Sequence, residues 1–522
     1  MKTTISTNGL NKNITQHFDL SIFSLASILL FIFVLFIPNP AASAETINSL
    51  DTNTENLYPP SPDAVTDKPI NWLEIIRKNV PPLTNDRGSR WPMIMWDCVG
   101  FAPLSAENIE MLRQRGLTQH IRLNESMIPT AKALMAAKSP VIIVEFKGGV
   151  WPYNLAGDKS NWAHQYPEGM KVPEWWKKRP SPPLFSGWSK AADNIRLTMG
   201  KFKKAGITVD AAWLDYEGEP VMANYRAALY ASSSRKFIPS KALESEPEFN
   251  RYRRQLWIQL LSSYVAAPLR EIYPAISVTN WVATLSSPER PVKGWYSANH
   301  PPLGATLFTA STPVAYGIDI FFLDSWKKEY PLDREHVDRF FMHLLLRQVS
   351  DDAFNRAKTA PYLDSFPWVA RWVQEHKNKK TPVMSRESYR EALRHLWLRG
   401  IDSMQIFNPR KQGRQMRIYE IQDAVAIYDE MLAFRTLLEE GKPMNLEYLG
   451  VQEVGIIWSG LKNNNKAVVR LFNQGPQDGL LSFNPWPSQK ITILAPKQGA
   501  TYLLDYDRKN NSVAITTVSN SQ

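Results

Sequence analysis

The stretch Ala211-Ala212-Trp213-Leu214-Asp215-Tyr216-Glu217-Gly218-Glu219-Pro220 is an apolar run that ends abruptly in three carboxylates and a Gly/Pro break. It reads as the end of a barrel strand. Side chains alternate faces along a strand, so Asp215 and Glu217 project to one side with Cα atoms roughly 6.6 Å apart. Like charges held together in a partly dry site push at least one pKa upward, as a general acid working near neutral pH requires. A strand running into an exposed acidic turn is the competing reading of the same residues.

Outward from this stretch, strand and helix patterns alternate. Before it lie strands at Met93 to Asp97, Thr118 to Leu123 and Val141 to Lys147, and helices at Ala106 to Arg115, Pro129 to Lys138 and Ala191 to Ala205. After it come a helix from Glu248 to Ile272, a fifth strand at Ile276 to Val282, a sixth at Asp319 to Trp326 and a helix at Arg334 to Val349. The seventh strand is expected at Thr359 to Asp364, with Thr381 to Met384 as its rival. A capping box, Ser388-x-x-Glu391, opens the helix that ends at Gly400; the eighth strand is Asp402 to Asn408 and its helix Glu420 to Glu440. Eight such units predict an α/β fold, a (β/α)8 TIM barrel over residues 91–441. Residues 445–522 change to short strands between Asn, Gly, Pro and Lys turns, which predicts a small C-terminal β-sandwich.

The N-terminus carries Lys2 and Lys12, a sixteen-position apolar run from Ile22 to Ile37, and then Ala42-Ser43-Ala44. That order predicts a signal peptide, 1–44, and an exported product, secreted or periplasmic. Retention as a membrane anchor by residues 22–37 is the lesser reading, because a span needs about 20 apolar residues. Residues 45–90 are Pro/Asn/Thr-rich and read as a leading segment with one short helix near Trp72 to Lys78. Loss of Lys2, Lys12 and Asp19 lowers the formal charge from +11 to +10, a balance suited to an acidic glycan. With Cys98 as the sole cysteine, no intramolecular disulfide and no cysteine-based zinc site is possible, so core burial stabilises the fold.

Barrels of this type place chemistry at the carboxyl ends of their strands. The polar and aromatic residues expected there are Asp97, Glu145, Lys147, Asp215, Glu217, Glu219, Asn280, Trp281, Asp324, Trp326, Asp364 and Asn408. Trp151 belongs to the long loop Gly148 to Gly187, which also carries Tyr153, Trp162, Trp175 and Trp176. Tryptophan faces stack on sugar rings, and 18 Trp in the chain fit a carbohydrate cleft as well as a core. Asp97 and Glu145 equally suit helix caps or lysine pairs.

The order of strand 4 with Asp-Tyr-Glu, a long helix, strand 5, an aromatic strand 6 and Arg399-Gly-Ile-Asp-Ser-Met-Gln-Ile-Phe resembles the hyaluronidases, and the chitinase group has a related Asp-x-Glu. The resemblance implies Glu217 as general acid and Asp215 as the group orienting a substrate acetamide, with an acidic or N-acetylated glycan as partner. The chain departs from hyaluronidases in lacking their cysteines and in reading Gly-Glu-Pro after the motif. Asp215 with Asp324 also resembles the carboxylate placement of α-galactosidase and α-glucosidase barrels, which carry a C-terminal β-domain. Gly218-Glu219-Pro220 resembles the Asn-Glu-Pro of a further group of barrel glycosidases, in which Glu219 would be the acid.

There is no dinucleotide fingerprint, Walker loop, His-Glu-x-x-His or Gly-x-Ser-x-Gly elbow. The expectation is therefore an exported glycoside hydrolase that needs no cofactor and no metal, and binds neither nucleic acid nor, once cleaved, a membrane. Asp215, Glu217 and Asp324 are its catalytic candidates. A carbohydrate-binding barrel without turnover is the rival class.

Overall fold

The computed structural model describes residues 71–96, 103–145, 168–171, 185–214, 225–231, 237–281, 283–291, 308–318, 333–373, 382–407 and 414–518. In chain order the first half contains α1 (Trp72–Asn79), β1 (Met93–Met95), α2 (Ala106–Arg113), β2 (Leu117–Gln119), β3 (Ile121–Arg122), α3 (Ile128–Ala136), β4 (Ile142–Glu145), α4 (Phe185–Lys204) and β5 (Ala211–Leu214). Then follow α5 (Tyr225–Tyr230), α6 (Ser240–Leu243), α7 (Glu246–Leu261), α8 (Ala267–Ile272), β6 (Ser277–Asn280), β7 (Ala310–Ser311), β8 (Val314–Ile318) and α9 (Arg334–Thr359). The barrel closes with β9 (Asp364–Ser365), β10 (Trp368–Val373), α10 (Arg386–Trp397), β11 (Gln405–Ile406), α11 (Arg414–Leu432) and α12 (Arg435–Glu440).

All barrel pairings are parallel. One run is β2-β1-β11-β10-β8 and the other β3-β4-β5-β6, with β7 beside β9. β2 and β3 are halves of one strand interrupted at His120, so the two runs join there. On the far side Thr309 N donates to Val278 O (2.9 Å) and Thr312 N to Ala283 O (2.7 Å), which stitches strand 5 to strand 6. Eight strand positions thus form a closed ring, the (β/α)8 arrangement expected from the sequence.

Alternation sorts the strand residues into two sets. Met93, Met95, Ile143, Ala212, Leu214, Val278, Val369 and Ile406 belong to the large core shared with the helices, while Ile94, Ile142, Ala211, Trp213, Ala310 and Phe366 fill the lumen. Each large apolar side chain buried between strand and helix contributes about 1.5–3 kcal/mol. Ser105, Ser245, Asp333 and Ser385 cap α2, α7, α9 and α10 by accepting from the backbone N–H three residues on. Each such cap is worth about 1 kcal/mol.

Three expectations are corrected. The sixth barrel position is filled by β8, ahead of Asp319, and residues 319–332 lie outside the described set. The seventh strand is β9 and β10 rather than Thr359 to Asp364. Helix α9 runs ten residues past Val349, held by buried Ala353 and by the Arg356–Asp352 ion pair one turn apart (3.0 Å), and stops before Pro361. The capping residue of α10 is Ser385, whose Oγ accepts from Ser388 N (3.1 Å), so Ser388 sits inside the helix and Glu391 is free for another partner. The helix expected from Glu248 to Ile272 is present, with a π-bulge over Ser262–Ala266 between α7 and α8, just ahead of Pro268, which has no N–H to donate.

Beyond the barrel, β12 (Lys442–Pro443), β13 (Ile456–Lys462), β14 (Lys466–Asn473), β15 (Gly479–Trp486), β16 (Gln489–Ala495), β17 (Ala500–Asp507) and β18 (Ser512–Val518) are all antiparallel. The sheet order is β12-β13-β14-β17-β18, with the β15–β16 hairpin as a second layer over a core of Val469, Leu471, Trp486, Ile493 and Tyr502. Barrel and β-region belong to one compact unit, Ala44–Gln522. Their seam is polar: Arg470 of β14 donates to both carboxylate oxygens of Glu391 in α10 (2.7 and 2.6 Å). Arg399, fully buried, donates to Ser459 Oγ (3.0 Å), to Glu447 O (2.8 Å) and to Ser350 Oγ.

Candidate functional site

The lumen beneath the carboxyl ends of the strands is packed with rings. Trp96 follows β1 and meets His120 edge-on at 4.5 Å and Trp368 at 4.4 Å; His120 lies 5.6 Å from Trp213. Phe366 lies 5.2 Å from Trp213 and 5.3 Å from Trp91, and Phe407 lies 5.8 Å from Trp368. Gln405 completes the layer as register partner of Trp368, with Nε2 donating to Phe366 O (3.3 Å). Burial drives the His120 pKa down to about 3, and the Gln405 amide, which favours the charged form, offsets only part of that. The imidazole is neutral near neutral pH. The floor of the barrel mouth is therefore aromatic and uncharged.

Among the residues singled out in the sequence, Asp97, Lys147, Trp151, Asp215, Glu217, Glu219, Asp324, Trp326 and Asn408 lie outside the described residues. Glu145 is the last residue of β4, in register with Leu214, the last of β5. Asn280 ends β6, also in register with Leu214; it is buried, and its Nδ2 donates to Trp281 O (3.0 Å). Trp281 is half-buried, and its backbone N–H donates to Leu214 O (2.7 Å).

Asp364 is placed at the other end of the barrel. It opens β9 rather than closing a strand, so it sits at the amino-terminal rim, away from the mouth. There burial and the neighbouring Asp402 push its pKa up to about 6, with Arg356 acting in the opposite direction. Asp402 is itself raised by burial, and its carboxylate accepts from Ser365 N (2.8 Å). Asp352 completes this base, accepting from Ser311 Oγ (2.7 Å) and Arg356 Nε (3.0 Å). Polar groups at this rim of such barrels serve stability.

Sequence reasoning missed Trp96, His120, Trp368 and Gln405. The signal was the period of two: His120 and Thr118 share a parity with the lumen-facing residues of the second strand, and Gln405 with those of the eighth. Among the described residues no group of three or more His, Cys, Asp or Glu is arranged to hold a metal ion, and no helix is long and apolar enough to cross a membrane.

No family model matches the chain, and no curated protein matches it. Among solved structures, it is similar to an α-amylase from Geobacillus thermoleovorans complexed with acarbose, at 11% identity and a TM-score of 0.40, covering 83% of this chain and 100% of that one. A family 27 β-L-arabinopyranosidase from Geobacillus stearothermophilus gives 11% identity and 0.39, with coverage of 84% and 100%. A family 30 endoxylanase from Clostridium papyrosolvens C71 gives 10% and 0.34, with coverage of 80% and 96%. Similarities this distant add no weight to the fold, which stands on the strand order and register.

Proposed function

We propose that the chain is an exported glycoside hydrolase that cleaves a poly- or oligosaccharide with Glu217 as general acid and Asp215 as its partner. The observation that carries this reading is the parity of β5. Ala211 and Trp213 face the lumen while Ala212 and Leu214 face the helices. Asp215 and Glu217 continue the lumen parity, counted in twos from Trp213.

The other strand-end candidates do not share it. Ile94 and Ile142 face the lumen, so Asp97, Glu145 and Lys147 fall at positions of opposite parity. The same holds for Asn280, in register with Leu214, and for Asn408, two residues beyond outward-facing Ile406. Asp324 is six residues beyond Ile318, too far for parity to carry. Glu219 has the right parity but lies between Gly218 and Pro220, where a strand stops.

Chemically, the uncharged floor favours one protonated and one ionised carboxyl on adjacent lumen positions. Glu217 protonates the glycosidic oxygen. Asp215 stays ionised and orients the group that attacks the anomeric carbon, a substrate acetamide where the glycan is N-acetylated. Reducing-end release is to be measured on a panel of neutral, acidic and N-acetylated glycans. Glu217→Gln is expected to lose about 10²- to 10⁴-fold in kcat, the usual contribution of a positioned proton donor. Full activity in that variant sinks the assignment, and a wild-type chain that binds glycan without releasing ends is a carbohydrate-binding barrel instead.

A further inference from the structure

The two sheets of the C-terminal region have four outer strands, and three of them are guarded against pairing with other chains. β12, at one edge of the five-stranded sheet, is two residues long and consists of an exposed lysine and a proline, Lys442–Pro443. β15 carries Pro485 and an irregular register between Phe483 and Trp486, and β16 carries exposed Lys490. Short edges, prolines, bulges and lysines are the usual means of blocking strand addition. β18 has none of them. It is a seven-residue strand, Ser-Val-Ala-Ile-Thr-Thr-Val, without charge, proline or glycine, paired with β17 in unbroken register over Thr501–Asp507. Among the described residues no strand pairs with its other side.

Its side chains are uncovered as well. Directly opposed residues share a face of a sheet, so Val513, Ile515 and Thr517, opposite Tyr506, Leu504 and Tyr502, point to the interior of the sandwich. Leu504 is fully buried there, but Ile515 is 43% exposed, because the second layer is β15 and β16 alone and stops short of the outermost strand. We infer that β18 is the surface on which a second copy of this chain docks, the two strands pairing antiparallel about a two-fold axis at Ile515. The strand is self-complementary in that arrangement. Three residues flank Ile515 on each side, so the pairs across the axis are Ser512 with Val518, Val513 with Thr517, Ala514 with Thr516, and Ile515 with its own counterpart. Odd-numbered residues meet odd-numbered ones, which keeps both interior faces on one side and sets the two isoleucines in the gap between the two β15–β16 hairpins. The contact uses the same patch on both copies and closes on itself.

Charge and area both bear on the occupant. The chain carries a formal net charge of +11, so two copies repel unless they meet on neutral surface, and all seven residues of β18 are neutral. Seven paired residues extend over about 24 Å and share about six backbone hydrogen bonds. A strip of that length and one sheet thickness buries roughly 800 Å² in total, at the low end of specific interfaces. The dimer is therefore weak and concentration-dependent. Docking at β18 does not depend on the proposed activity.

Sedimentation equilibrium tests the contact, on the full chain and on the chain from Glu45, so that association through residues 22–37 is recognised by its loss. The expected result is a reversible monomer–dimer equilibrium in both, with a dimer share that rises as salt goes from about 0.05 to 0.5 M and screens the like net charges. Ile515→Lys sets two ammonium groups against each other on the axis and is expected to weaken association at least about tenfold, as is Ile515→Glu with its two carboxylates. A mixture of the two variants brings opposite charges together and should associate again. A chain that stays monomeric up to about 1 mM leaves the edge to another occupant, such as an extended peptide of a different protein, and overturns the proposal. Unchanged association in the Ile515 variants, a mixture that stays monomeric, a dimer that dissolves as salt rises, loss of the dimer in the chain from Glu45, and growth beyond two copies each overturn it too. Should the Ile515 variants not fold, Thr517→Lys, which sets an ammonium opposite Val513 across the axis, provides the same comparison with the wild type.

Discussion

Among the described residues two histidines are fully buried, His395 and His120, and their surroundings differ. His395 sits in the seam between α10 and the C-terminal sheet, with Nδ1 2.9 Å from Ser459 Oγ and Nε2 3.2 Å from Glu391. His120 sits in the lumen among rings, with the neutral Gln405 amide beside it. Burial lowers the pKa of both, but at His395 the Glu391 carboxylate works against it. The seam is a closed network that fixes one arrangement of two layers. The lumen is a packed layer of rings around one neutral imidazole, with no charged partner to fix it.

The seam offers the largest effect with which to break this comparison. Arg470→Met leaves Glu391 buried with only Arg394 (3.2 Å) and His395 beside it, and is expected to cost about 3 kcal/mol in urea unfolding. Replacing Glu391 and Arg470 together by methionine should recover most of that loss. A single-variant cost within error of zero means that the network does not join the layers. The same network predicts an acid limb. Burial alone raises the Glu391 pKa, but the His395 hydrogen bond and the Arg470 charge outweigh it and hold the carboxyl well below its usual range. A depressed acid stabilises the fold above its unfolded pKa and loses that contribution as pH falls below about 4. In the double variant this part of the acid-side loss should disappear.

Asp364 has the opposite sign. Its folded pKa of about 6 lies above the unfolded value, so its protonated form favours folding, and stability falls as pH rises from about 4 through 6. Asp364→Asn is expected to flatten that slope and to stabilise the chain at pH 8 by about 1–2 kcal/mol once its partial exposure is allowed for. A steeper slope in the variant contradicts the placement beside Asp402. In the lumen, His120→Phe should cost about 1 kcal/mol, less than the seam variant, because rings remain to pack and only the uncharged contact with Gln405 is lost. A cost equal to that of Arg470→Met would erase the distinction between lumen and seam. The smallest effect belongs to the exposed pair Lys201–Glu125 at 2.6 Å, where Glu125→Gln should change stability by less than about 0.5 kcal/mol. It separates the influence of burial from that of distance.

The ring of eight units was legible in the sequence because most strands are short apolar runs and most helices repeat every three or four residues. Strands 1 to 5 stand within a few residues of where those patterns put them. Strand 7 was not legible, because Trp368-Val-Ala-Arg-Trp-Val carries Arg371 in its middle. That guanidinium is 2% exposed and donates to Met384 O (2.7 Å), a tertiary contact that a local pattern does not contain. The Ser388-x-x-Glu391 pattern misled for the same reason: Glu391 is committed to Arg470, 79 positions away. The hairpin formed by β15 and β16 turns at Pro487-Ser488 with Ser488 at φ 64, a conformation that serine seldom adopts and that its residue type does not signal. At the candidate site, residue types were legible but parity was not. An Asp-x-Glu shares a face in any strand, and the packing of Trp213 supplies the parity from which the proposal counts.

The pairing that closes the barrel joins Ile94 to Gln405 and Met95 to Ile406, across more than three hundred residues. Strand 1 thus waits for its second neighbour until nearly the whole ring has left the ribosome, and the buried charge of Glu391 waits longer still, for Arg470. Closing so long a loop late makes for slow, high-contact-order folding. During that interval the half-built ring exposes an open strand edge and an aromatic interior, both prone to association with other chains. The timetable of synthesis, more than the final stability, is where this fold is most vulnerable.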